Sequence, residues 1–307
     1  MTEALAIEHI ALPHGIHLEC RVRGPADGPV VVMLHGFPQA AFVWDDLSAT
    51  LAAQGWRCVA PNLRGFAGSS QPAEPSAYRA KHLTQDIVAL LRAVSHQPVA
   101  ALIAHDWGGA LAWGVAAMHP ELIARFIAIN SPHSATFLKA LQSDPDQQTA
   151  SAYMHYLSRD DAAERLSLNR FEKLWGFLSR HDKAGATAPS WLTPELKKAH
   201  ELVWAQGLVG QCAYYQQSPL KPPLTPTDAV MALQLPPEMT NVRVPTDVIW
   251  GLQDEALRPS LLEGLSDYVD NLRIHRFEDA SHWVLHEQPE RVAACVLAAL
   301  RRELPAQ

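Results

Sequence analysis

Short apolar runs and helically spaced apolar residues alternate along most of the chain. PVVVMLHG is a continuous apolar run, the pattern of a strand covered on both faces. AFVWDDLSATLAAQ follows it with the spacing of an amphipathic helix. The alternation repeats as strand WRCVAPN, helix HLTQDIVALLRAV, strand VAALIAH, helix GGALAWGVAAMH and strand ARFIAIN. It resumes later as strand TDVIWG, helix SLLEGLSDYV, strand NLRIHRF and helix ERVAACVLAALRREL. Ahead of all this, IEHIALPHG and IHLECRVRG read as a hairpin closed at His14-Gly15. Strands alternating with helices predict an α/β fold, a mostly parallel sheet with helices on both faces. Ligands of such sheets bind at the carboxyl ends of the strands.

Residues 134–240 interrupt the alternation. They contain the helical patterns FLKALQSD, SAYMHYLSRD and RFEKLWGFLSR, and a helix opening at Thr193-Pro194, with Thr as N-cap and Pro at the first helical position. The proline-rich SPLKPPLTPTD suits a linker back to the core. The expected organisation is a core of residues 1–133 and 241–307 with a helical cap, 134–240, inserted after the sixth strand.

Composition narrows the function classes. The chain has 307 residues, is 48% hydrophobic and only 19% charged, and carries a net charge of −7. No basic stripe points to nucleic acid, and no run approaches the ~20 apolar residues of a membrane span. Cys20, Cys58, Cys212 and Cys295 show neither metal nor redox spacing, so reduced thiols and a cytoplasmic protein are expected. The N-terminus lacks the pattern of a signal peptide. No HExxH pairing, GxGxxG or GxxxxGK[ST] loop occurs, so neither metal nor nucleotide cofactor is expected.

The chemistry is carried by AHDWGG. A strand ends at His105, Asp106 stands in the turn, and a glycine-rich helix begins at once. This is the shape of a nucleophile elbow with Asp in the reacting position. The bland alternative is that Asp106 only caps the helix. Three further loops weigh against it. HGFP follows the third strand, and backbone N–H groups there, with Phe37 as the candidate, would complete an oxyanion hole with the N–H of Trp107. Asp254 follows TDVIWG, with Glu255 as a weaker alternative acid, and His282 follows the last strand. The chain order nucleophile, acid, histidine is that of a hydrolytic triad on this type of sheet. The sixth strand ends at Asn130, so the acid is not expected there.

HGFPQ, PNLRGFAGSS, AHDWGG, GLQD and ASHW together resemble the epoxide hydrolases and haloalkane dehalogenases of the α/β-hydrolase superfamily, along essentially the whole chain. The resemblance implies the α/β-hydrolase fold and a mechanism in which Asp106 forms an alkyl-enzyme ester that a water activated by His282 then hydrolyses. It also implies two cap tyrosines that protonate an epoxide oxygen. Tyr153 in SAYMHYLSRDDAAE and Tyr215 in QCAYYQQSPL take those places, although Cys212, Ala213 and Gln216 depart from the family's usual residues. His35, Pro38, Trp107, His155, Tyr156 and Trp283 are expected to line the substrate site. The expected partner is a small electrophile, an epoxide, and a homodimer is left open.

The alternative activity is a haloalkane or fluoroacetate dehalogenase with the same triad. Phe37 stands where haloalkane dehalogenases commonly place a halide-binding Asn. Trp107 and Ala110 stand where fluoroacetate dehalogenases place arginines, while His155-Tyr156 resembles their fluoride ligands. A binding protein that keeps the fold without the chemistry is a third reading. His133, Arg64 and the aromatics Trp175, Phe177, Trp191 and Trp204 are expected to be structural.

Overall fold

The computed structural model describes residues 4–179 and 189–303. Its eight strands are β1 (Ala6–Ala11), β2 (His17–Arg23), β3 (Val30–Leu34), β4 (Arg57–Pro61), β5 (Ala101–His105), β6 (Phe126–Ile129), β7 (Thr246–Gly251) and β8 (Leu272–Phe277). They form one sheet in the order β1-β2-β4-β3-β5-β6-β7-β8. β1 pairs antiparallel with β2, and β2 antiparallel with β4; every other pairing is parallel. Each residue of β3, β5, β6 and β7 is buried, which is why these strands read as unbroken apolar runs.

The first helices of the chain are α1 (Asp45–Ala52), α2 (Ala80–Val94) and α3 (Asp106–Met118). Between β6 and β7 come α4 (Ser134–Ser143), α5 (Pro145–Ala150), α6 (Tyr153–Leu157), α7 (Ala162–Ser167), α8 (Glu172–Ser179), α9 (Pro194–Trp204), α10 (Val209–Gln217) and α11 (Ala229–Ala232). α12 (Val284–Glu287) and α13 (Pro289–Arg301) close the chain. One apolar cluster packs α2 and α3 on one face of the sheet through Leu90, Leu111 and Trp113. A second packs α1 and α13 on the other through Leu51, Val292 and Val296. Thr193 caps α9, its side chain accepting from the N–H of Leu196.

Two expected elements differ. SLLEGLSDYV forms two short 3-10 turns, Pro259–Leu262 and Leu265–Asp267, in place of one helix. Gly264 between them takes φ +71°, a left-handed conformation that an α-helix cannot contain. AFVWDDLSATLAAQ begins as a 3-10 turn, Ala41–Trp44, and becomes α1 only at Asp45. Arg180 and Leu304, the last residues of two expected helices, lie outside the described residues.

A buried ion pair ties the loop after β4 to α2. Arg64 donates from Nε to Asp86 Oδ2 at 2.7 Å and from Nη2 to Oδ1 at 2.5 Å, while its Nη1 reaches the Ala77 carbonyl at 2.7 Å. His14 of the β1–β2 turn contacts the same carboxylate at 2.6 Å. Arg64 is thus structural, and its two ends are saturated. Removing one partner of such a pair leaves an uncompensated charge in the interior. Asp86→Ala should therefore destabilise the fold by about 3 kcal/mol, read from the shift of the urea unfolding midpoint. A shift within error of zero would show that the pair contributes no net stability.

Candidate active site

The parallel strands all end on one side of the sheet, and the chemically active side chains stand in the turns that leave those ends. β5 delivers Asp106. Its φ of +50° is rare for a residue with a side chain, and the sharp turn brings the backbone close to neighbouring strands. A Cβ on Gly36 would stand 2.3 Å from Asp106 Cβ, and one on Gly108 would stand 2.5 Å from the Leu34 carbonyl oxygen. Glycine is required at both positions by contact. The Ser131 hydroxyl, just past β6, donates to the Asp106 carbonyl at 2.8 Å and steadies the turn.

The Asp106 carboxylate accepts from the Phe37 N–H at 2.7 Å, and the nearby Trp107 N–H also favours its charge. Burial pushes its pKa above the ordinary value, against the pull of His282 and these two N–H groups. The N-terminus of α3 adds a favourable field for negative charge. His282 Nε2 lies 3.7 Å from Asp106 Oδ2, and its Nδ1 lies 2.7 Å from Asp254 Oδ2. The first distance is beyond a hydrogen bond; the second is a strong one.

Asp254 is fully enclosed. Asn130 Nδ2 donates to its Oδ2 at 2.8 Å, and the N–H groups of Ala256 and Leu257 donate to Oδ1 at 2.9 and 2.8 Å. Burial opposes a proton on His282, but the charge and hydrogen bond of Asp254, helped by Asp106, outweigh it and push the pKa up to about 9. His105 lies against His282 with ring centroids 4.7 Å apart and donates from Nε2 to the His282 carbonyl at 3.0 Å. Burial, then the charge of His282, holds His105 well below the usual histidine range, so it stays neutral.

Above the carboxylate lies a cavity of about 350 Å³. Asp106, Asp254 and His282 line one side. Tyr153 of α6 and Tyr215 of α10 line it from the helices between β6 and β7, together with Thr149, Gly176 and Phe177. The Tyr153 and Tyr215 rings meet edge-on at 6.1 Å. Burial first, then neighbouring negative groups including Asp106, raises both phenols above their ordinary range, so both are neutral donors.

A model of the α/β-hydrolase fold family matches residues 29–297. The AB hydrolase superfamily protein YfhM of Bacillus subtilis is 30% identical over 293 residues, covering 94% of this chain and 96% of its own. The chain belongs to the α/β-hydrolase fold family. Two solved structures are similar to this α/β-hydrolase over nearly its full length. One represents novel epoxide hydrolases of the superfamily from metagenomes of hot environments, 34% identical with a TM-score of 0.85, covering 98% of this chain and all of that one. The other is a mutant epoxide hydrolase from Bacillus megaterium complexed with its product, a 3-naphthyloxy-propane-1,2-diol. It is 27% identical with a TM-score of 0.84, covering 96% of this chain and all of the other.

Of the side chains expected around the substrate, Pro38 and Trp283 line the cavity of the hydrolase. Four do not. His35 is fully buried beneath the loop, its Nε2 accepting from the Leu63 N–H at 3.0 Å and its Nδ1 on the Gly36 carbonyl side at 3.1 Å. It supports the turn that aims the Phe37 N–H. His155 and Tyr156 do not line the cavity; His155 sits two residues past Tyr153, ~200° around α6 and so on its other side. With Tyr153 facing in, Tyr156 turns toward α8, where Lys173 Nζ sits 4.9 Å from its ring centre. The Trp107 ring stands beside Tyr215, at 5.1 Å between centroids, and bonds that residue's side chain instead of lining the space.

Phe177, expected to be structural, does line the cavity. Trp204 is a packing residue, its indole donating to the Pro38 carbonyl at 2.7 Å. His133 is structural as well: it caps α4 through Nδ1, and its Nε2 meets the Thr240 carbonyl at 2.8 Å. Asn130 was legible only as a residue that could not be the acid; its hold on Asp254 depends on β6 and β7 being neighbours. Among the described residues no group of three or more His, Cys, Asp or Glu is placed to hold a metal ion.

The geometry makes His282 a cation across neutral pH, with a midpoint near 9 in the free protein. Replacing Asp254 by Asn removes the largest upward influence, so the midpoint should fall toward or below 6.5. Histidine-ring NMR across a pH titration measures it. An unchanged midpoint would mean that Asp254 does not hold the proton there.

Proposed function

We propose that this hydrolase opens epoxides to vicinal diols through an ester on Asp106. The observation that carries the reading is a cavity lined by a carboxylate, Asp106, and by two phenols, the half-buried Tyr153 and the buried Tyr215. A carboxylate attacks carbon without first losing a proton, so Asp106 suits the nucleophile's part. The phenols suit the acid's part. A strained oxirane leaves an alkoxide on opening, and a halide leaving group needs no proton. We also read residues 134–240 as a cap, since the helices there supply both phenols. The similarity to epoxide hydrolases in sequence and structure supports the same activity. Among the described residues no Lys or Arg lines the cavity to hold a substrate carboxylate, which disfavours fluoroacetate. Four unpaired cysteines accord with a reducing, cytoplasmic setting.

In the proposed cycle an Asp106 oxygen bonds to an epoxide carbon and that carbon's bond to the ring oxygen breaks. The oxygen takes a proton from Tyr153 or Tyr215, and the resulting phenolate regains one from the His282 cation by way of solvent. Esterification also removes the Asp106 charge that helped hold the proton on His282, so the histidine loses its proton more easily at this stage. Neutral His282, steadied by Asp254, then deprotonates a water that attacks the Asp106 carbonyl. The N–H groups of Phe37 and Trp107 stabilise the oxyanion. Collapse releases the diol's second oxygen from Asp106, and its proton comes from the newly formed carboxylic acid. Asp106 returns as carboxylate and His282 as cation.

Two measurements test this. Tyr153→Phe or Tyr215→Phe should each slow diol formation from styrene oxide by on the order of 10²-fold, and the double change should abolish it. Robust fluoride release from fluoroacetate, insensitive to both changes, would favour a dehalogenase instead. His282→Gln should form the ester and stall, so intact-protein mass should rise by one substrate mass after mixing. Normal steady-state turnover by that variant would remove His282 from the mechanism.

A further inference from the structure

Gly176 has no structural reason to be glycine. It lies inside α8, and glycine is the poorest helix former after proline. Among the other described glycines all but Gly114, whose added Cβ would meet Met118 at an ordinary 3.6 Å, answer to a tight contact or to a left-handed backbone. Gly36 and Gly108 pass too close to their neighbours for a Cβ, and Gly15 and Gly55 have positive φ. Gly176 shows neither: its φ is ordinary for an L residue, and an added Cβ would meet no atom within 4 Å. Among the described glycines it alone combines these two properties.

The open space has two sides. Gly176 lines the cavity that holds Asp106 and the phenols. It also lines an outer groove bounded by Arg170, Glu172, Trp175 and Glu201. The side chains next to it leave the gap unfilled. Phe177 turns inward to meet Phe37 and Tyr153, with ring centroids 6.3 and 6.1 Å away. Trp175 packs on Trp204 at 4.5 Å. α8 is tied to the histidine loop, because the indole of Trp283 donates to the Phe177 carbonyl at 3.2 Å. Gly176 is therefore the residue that lines both spaces, on a helix held in place.

We propose that the missing side chain at Gly176 sets substrate size: the far end of a long, uncharged substituent on a terminal epoxide passes over α8 into the outer groove while the oxirane stays beside Asp106. The substituent is uncharged because, among the described residues, no Lys or Arg lines the cavity it crosses, and in the outer groove Arg170 already faces Glu201 at 3.9 Å. Phe37, Phe177, Tyr215 and Trp283 present aromatic surface along the way, which suits aryl ethers of glycidol. This inference rests on the epoxide reading of the site.

The test compares kcat/KM for 4-biphenylyl glycidyl ether with that for propylene oxide in the wild type, Gly176→Ala and Gly176→Leu. The long-to-short ratio should fall about tenfold in the Leu variant, chiefly through KM, and by less in the Ala variant. Ala should also raise the melting temperature, since it removes a helix-interior glycine. The Ala variant therefore gives a reading even if Leu fails to fold. An unchanged ratio, whether both rates hold or both fall together, overturns this inference alone. If the wild type makes diol from neither epoxide, the epoxide reading fails and takes this inference with it.

Discussion

A carboxylate that reacts as a nucleophile has to remain ionised in a place from which water is largely excluded. Asp106 is 11% exposed at its side chain, and its burial raises its pKa. Much of the surrounding structure works against that rise. The Phe37 and Trp107 N–H groups point at the carboxylate, the α3 N-terminus starts beneath it, and a cationic His282 faces it. Each depends on the left-handed turn at Asp106, which lifts the side chain off the end of β5. Two glycines with no room for a Cβ allow that turn to fit between β3 and the HGFP loop.

The charge on His282 follows from the same arrangement. A buried histidine on its own would lose its proton, as His35, His200 and His286 do, each lowered to about 4 or below. His282 differs because Asp254 and Asp106 flank it. Asp254 in turn is held in place by three hydrogen-bond donors besides the histidine, from Asn130 and two backbone N–H groups. The free site thus holds two carboxylates and one cation in close contact. Esterifying Asp106 would remove one of the two charges that stabilise the imidazolium. In this way the chemistry of the first step would prepare the base for the second.

Many of the elements were legible because burial on both faces leaves a plain mark on sequence. β3, β5, β6 and β7 are uninterrupted apolar runs, and each helix packed against them repeats near 3.6 residues. The failure at SLLEGLSDYV came from Gly264: apolar spacing there matched a helix, but one left-handed residue split it into two turns. The candidate site was legible to the extent that its residues follow strand ends. Asp106, Asp254 and His282 each sit directly after a strand, and the loops after parallel strands converge. Within the inserted helices that logic gives no help. His155 and Tyr156 were expected to line the substrate site beside Tyr153, yet of the three only Tyr153 lines the cavity.

The amino-acid sequence alone determined the alternation of strands and helices, the sharp turn at Asp106 and the chain order of the candidate triad, because these are local patterns of spacing and residue type. The tertiary structure decided what lies across the gap between elements. It brought Asn130 to Asp254, turned His35 beneath the loop instead of into the cavity, and set Phe177 and Gly176 against the cavity. Each of those outcomes depends on the direction of a side chain relative to a partner more than twenty residues away. Such a direction is fixed by packing and strand order, which no local pattern records.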